Sequence, residues 1–194
     1  LNTSRVSGST AAKVAGETCE KSGNLLDDCI EQLFGFPLDE SGSISIDDLL
    51  EHGTRQLDEF NRDIRRLFRE NGIDTSKPVE LGSRYGTGET VVTNDHPDKE
   101  KIGQLLRDNP ELSNDFKRIT GMLELAEIGR QALEFQNAYR QNPQQAVAQY
   151  AHLFNTKLTS TVLLEDNRAQ IQFQRIPKAA VPNAMGYQEQ VPGG

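Results

Sequence analysis

The sequence predicts a predominantly helical α+β fold, in which a long antiparallel helix pair carries shorter helices and one or two small β-hairpins. Three observations predict it. Ile46, Leu50, Gly53, Leu57, Phe60, Ile64 and Leu67 step alternately by four and three, a heptad seam of about three repeats. Phe116, Ile119, Leu123, Ala126 and Leu133 make a second stripe of helical period, which Met122, Leu125, Ile128, Ala132 and Phe135 widen. Between and after these stripes the period shortens to that of strands, around Val79–Thr93 and again from Leu158 to Ile176.

Residues 1–23 are rich in Ser, Thr, Gly and Ala and poor in large apolar side chains, the composition of a flexible arm. The folded domain is expected over residues 24–176, and a Pro/Gly-containing tail over 177–194. A short helix is expected from Asn24 to Phe34, with Gly35 as its stop. The next helix has both ends written out. Ser45 and Asp48 form a capping box, with Ile44 stapled to Leu49. At the other end Gly72 suits the left-handed C′ position of a Schellman stop, with Ile73 covering Phe68. A helix of about 25 residues is about 37 Å long at 1.5 Å per residue, and it needs a partner of comparable length.

Val79 and Leu81 face Thr90–Thr93 across a glycine-rich loop, which reads as a hairpin. Asn94-Asp95-His96-Pro97 opens a helix through Leu106, with Pro97 in its first turn. Asn109-Pro110 opens the long partner helix, which runs to Tyr139. Asn142-Pro143 opens a short helix carrying Val147, Tyr150, Ala151 and Phe154. Leu158–Leu164 and Ala169–Ile176 then flank Glu165-Asp166-Asn167-Arg168 as a second hairpin.

Charge restricts the partners. Twenty-nine acidic against 21 basic residues leave a formal charge of −8, which opposes binding to nucleic acid or anionic lipid. Arg62, Arg65, Arg66 and Arg69 are interleaved with Asp58, Glu59, Asp63 and Glu70, and read as a solvated helix face laced with charge pairs. No run approaches the roughly 18 apolar residues of a membrane span. The chain begins at Leu1 rather than Met, as expected if an upstream piece has been removed, so a cytoplasmic and an exported location both stay open. Cys19 and Cys29 match no redox or zinc spacing, and are read either as idle thiols or as a disulfide after export.

Two segments suggest chemistry. With Gly42 at the sixth position of an EF-hand loop, Asp39, Ser41, Ser45 and Asp48 fall at ligand positions three, five, nine and twelve. Pro37 then stands where an Asp is wanted, and Asp48 is shorter than the usual bidentate Glu, so the turn-and-cap reading competes with a degenerate calcium site. His96 sits between Asp95 and Asp98, either of which could orient the imidazole for a metal-dependent or acid/base reaction. The competing reading is simply the start of a helix. The cluster of Gly82, Gly86 and Gly88 lacks the Lys of a phosphate-binding loop and leads into a strand. Neither an HExxH pattern nor a G-x-S-x-G elbow is present.

Asn71-Gly72-Ile73-Asp74-Thr75-Ser76, Val91–Ile102 and Asn109-Pro110-Glu111-Leu112 resemble stretches in uncharacterised bacterial proteins, a likeness covering roughly residues 45–155. It implies a bacterial origin and a shared helix, hairpin, helix arrangement, with no activity to carry over. A helical pair buries only part of two such wide stripes. The residues therefore favour a non-catalytic protein–protein interaction or structural module, with a protein partner that includes a second copy of the chain. An enzyme centred on Asp95, His96 and Asp98, and a calcium-modulated binder, are the alternatives; no other cofactor is expected.

Overall fold

A computed structural model describes residues 44–178. The helix expected at Asn24–Phe34, both cysteines, Asp39, Ser41 and most of the C-terminal tail lie outside the described residues. Within them, four helices and a four-stranded antiparallel sheet form the predominantly helical α+β fold that the periodicities predict. The elements in chain order are α1 (Ile46–Glu70), β1 (Val79–Ser83), β2 (Thr90–Val92), α2 (Lys99–Asp108), α3 (Pro110–Gln141), α4 (Pro143–Asn155), β3 (Thr156–Glu165) and β4 (Arg168–Pro177).

The two long helices run antiparallel and in contact. Ile46 at the start of α1 lies against Gly129, Gly53 against Leu123, and Phe60 against Phe116 at 5.9 Å between ring centroids. Helix α1 ends as its sequence requires. Gly72 takes φ +62°, its N–H donates to Arg69 O, and Ile73 N–H donates to Phe68 O at 2.9 Å. These are the two bonds of a Schellman motif, and Ile73 and Phe68 are both buried beneath it.

The buried stripe of α1 departs from the expected heptad at both ends. It runs Leu49, Gly53, Leu57, Phe60, Ile64, Phe68, in steps of four, four, three, four and four. Leu50 is 37% exposed, and Phe68 takes the place expected for Leu67. A straight helix drifts about 20° per heptad, so without supercoiling the inward positions slide off a strict 3.5-residue repeat.

The two hairpins join. Strand β1 pairs with β3, Val79 opposite Leu164 and Leu81 opposite Val162, so they fuse into one sheet of order β2-β1-β3-β4. The β3–β4 turn has only two central residues, Asp166 and Asn167, both at positive φ (45° and 64°), as a primed hairpin turn demands. Val79, Leu81, Val92, Val162 and Leu164 meet Leu57, Phe60, Ile64, Phe68, Ile102, Leu106, Phe116, Ile119 and Leu123 in one core. Each such side chain contributes about 1.5–3 kcal/mol by leaving water.

Helix α2 also begins later than the sequence suggests. Its first residue is Lys99, and Pro97 precedes the cap instead of occupying the first turn. The Asp98 carboxylate at the cap position accepts a hydrogen bond from Asp74 N–H at 2.9 Å and makes no cap bond to its own helix. Asn142, by contrast, caps α4 as expected, accepting from Gln145 N–H at 3.1 Å.

Candidate functional site

His96 is placed by two loops meeting beside the core, and it is only 5% exposed. Its Nε2 donates to Asp74 O and its Nδ1 accepts from Asp98 N–H, each at 3.0 Å. Both ring nitrogens are thereby satisfied by backbone in the neutral Nε2–H tautomer. Neither flanking carboxylate orients the ring. Asp95 is exposed, and the Asp98 side chain is engaged with Asp74 N–H. Asp74 in turn accepts from both Ser76 N–H and Ser76 Oγ, bonds that hold its carboxyl below the ordinary carboxylate range. Asn94 extends the same clasp, accepting from Glu80 N–H and donating to Pro78 O. Five grooves among the described residues have linings that include none of Asp95, His96 and Asp98.

Of the calcium candidates, Ser45 occupies the position just before α1 and Asp48 lies exposed in its first turn. Asp39 and Ser41 lie outside the described residues. Among the described residues no three His, Cys, Asp or Glu side chains gather as a metal site. Gly86 and Gly88, at φ +84° and +65°, turn the β1–β2 loop, which fits the hairpin reading over a phosphate loop.

A concavity with mostly apolar walls lies elsewhere, along the second stripe of α3. At 100° per residue, Leu125, Ile128, Ala132, Phe135 and Tyr139 centre on the side of the helix opposite Phe116, Ile119, Leu123 and Ala126. The sequence reading merged these two faces into one wide stripe, and the opposed angles were the signal that separates them. The inner face packs on α1; the outer one meets α4. Phe135 is the hub of an aromatic cluster, 5.7 Å from Tyr139, 5.8 Å from Tyr150 and 5.5 Å from Phe154. Leu133, expected on the inner stripe, lies beyond the start of α1 and is 51% exposed.

Between α3, α4 and the first residues of β3 these side chains leave a groove of about 600 Å³, with Ile128, Ala132, Phe135, Leu153, Phe154 and Leu158 along its apolar walls. Its rim is cationic and fixed. Arg175 donates to Gln131 Oε1 and to Thr156 Oγ1, and Lys178 Nζ donates to Phe154 O at 2.7 Å. Beside it Glu127 accepts from Arg130 and Gln131; the Arg130 bond above all holds its carboxyl below the ordinary range, against the opposing effect of burial. Groove and rim together combine apolar walls with a polar, partly cationic edge. They hold no nucleophile with a base beside it.

Fold and site thus define a helical α+β domain with an apolar groove on its outer helical face, and no helix among the described residues is long and apolar enough to cross a membrane. No family model, curated protein or solved structure matches the chain.

Proposed function

We propose that this domain is a non-catalytic protein–protein interaction module, and that the α3–α4 groove is where it docks on a second copy of the same chain. The observation that carries the reading is the exposure of apolar side chains along that groove and on the helices that form it: Ile128 is 46% exposed and Phe154 53% in the groove, and Leu125 on α3 and Val147 on α4 are similarly bare. Contiguous apolar surface of this kind marks association sites on globular proteins. One face supplies both the hollow and the projecting side chains, which is the requirement of a two-fold symmetric contact. The satisfied ring of His96 supports a structural part for that residue, which favours an interaction module over an enzyme.

Light scattering across a concentration series tests the proposal. A dimer at micromolar concentration, converted to monomer by Ile128→Glu with Phe154→Ser, is the expected result. A wild-type chain that stays monomeric at millimolar concentration overturns it.

A further inference from the structure

The acidic sign of the whole chain conceals a local reversal on α1. Arg62, Arg65, Arg66 and Arg69 line a groove of about 520 Å³ together with Asn61, one carboxylate, Asp63, Thr75 from beyond the Schellman stop and Asn167 from the β3–β4 turn. On a helix these positions share a face, and from first to last they span about 10 Å at 1.5 Å per residue. The sequence suggests that Asp58, Glu59, Asp63 and Glu70 neutralise them. Only one such pair forms: Asp63 meets Arg66 at 3.0 Å, with both side chains more than half exposed, a geometry that contributes little. Among the described residues Arg62 and Arg69 form no ion pair.

Arg65 forms the floor. Its Nε donates to Asn61 Oδ1 at 2.9 Å, and Asn61 Nδ2 donates to Asn167 O at 2.8 Å, so the guanidinium is tied to the hairpin turn. Its Nη2 is buried with no hydrogen-bond partner among the described residues. A buried guanidinium donor without an acceptor is rare and costly in native proteins. Burial also lowers the Arg65 pKa, and the nearby Asp166 carboxylate opposes that effect.

We propose that this groove binds a chain of linked phosphates. Arg62 and Arg69 present exposed guanidinium forks whose paired donors fit tetrahedral oxyanions, and Arg66, paired with Asp63, adds a third positive charge beside them. Their spacing over about two helical turns suits several joined phosphate groups better than one. Thr75 and Asn167 add neutral polar groups to the lining. No aromatic side chain lines the groove, so it offers no platform for a nucleobase, and the phosphate chain alone is what it reads. The formal charge of −8 repels polyanions over the rest of the surface, which confines their binding to this face.

Calorimetry on the full chain at physiological salt tests this, with sodium tripolyphosphate and ATP as separate titrants. Both are expected to bind one site with similar affinity. Arg62→Gln and Arg69→Gln remove exposed side chains and should leave the thermal unfolding curve unchanged; each is expected to weaken tripolyphosphate by about tenfold, the scale of one charge-assisted contact. Arg62→Lys and Arg69→Lys keep the charge but lose the fork, and are expected to weaken binding as well. Arg84→Gln, on the β1–β2 loop, should bind as the wild type does. Absence of heat with millimolar tripolyphosphate overturns the proposal. So does full affinity in the Lys variants, which would mean diffuse electrostatics, or ATP binding about tenfold tighter than tripolyphosphate, which would mean that a base is read.

Discussion

Helix α3 is one continuous element with two differently supported halves. From Phe116 to Ala126 its inward side chains are enclosed by α1 and the sheet, and six residues there are buried. From Ile128 to Gln141 no residue is fully buried; the turns there are braced by Arg130 with Glu127 and Glu134, and by Phe135 against α4. Local pairs of that kind contribute about 0.3–0.5 kcal/mol each, whereas core contacts contribute several times more. A helix in a protein is therefore stable to the extent that something covers it. The second half of α3 leaves its apolar face partly exposed.

The sharpest contrast is between two phenylalanines on this helix. Phe116→Ala, at a 1% exposed position facing Phe60, is expected to cost about 3–5 kcal/mol in urea unfolding. Phe135→Ala, in the half-open cluster, should cost about 1–2 kcal/mol, since only its ring contacts and partial burial are lost. Equal losses at the two positions would erase the distinction between the halves.

A smaller effect comes from two glycines on the α1–α3 contact. A Cβ added at Gly53 would lie 2.6 Å from Leu123 Cδ2 and 2.8 Å from Leu123 Cγ, and Leu123 is hemmed in by the core. Gly53→Ala is expected to destabilise by up to about 2 kcal/mol, an overpacking cost of about 1–3 kcal/mol offset by about 1 kcal/mol of helix propensity. At Gly129 the added Cβ meets only Ile46 at 3.0 Å, the first residue of α1, which can yield. Gly129→Ala should lie within about 0.5 kcal/mol of the wild type or above it. The same urea series reads both, and a Gly129 loss matching that of Gly53 would show the far end of the contact to be as tightly packed as its middle.

Much of this architecture is legible in the residues. Gly72 and Ile73 announce the end of α1, Asn109-Pro110 and Asn142-Pro143 announce the starts of α3 and α4, and the short periods announce four strands. The β1–β3 pairing is not legible, because Val79, Leu81, Val162 and Leu164 are far apart in the chain and nothing local prescribes their register. His96 illustrates a different limit. Carboxylates adjacent in sequence suggested a catalytic group, but the ring's partners are backbone atoms, one of them twenty-two residues away at Asp74. The α3–α4 groove was half legible: its apolar residues stood out, while their separation onto a second face depended on angle. The arginine groove is legible only as a run of charge, since Thr75 and Asn167 join it through tertiary folding.

The smallest effect concerns pH and belongs to the junction of the two halves. Glu127 accepts hydrogen bonds from Arg130 and Gln131, and its folded-state pKa lies below its ordinary value of about 4.3. A depressed carboxylate contributes stability that is present above the unfolded value and lost as pH falls through the folded one. The difference in unfolding free energy between wild type and Glu127→Gln should therefore hold constant from neutral pH down to about 5, then close as the solution is acidified further. Phe116→Ala, which removes no titrating group, should show a pH-independent deficit over the same range. If instead the Glu127→Gln difference is flat with pH, the carboxylate is bracing nothing, and the outer half of α3 stands on its aromatic cluster alone.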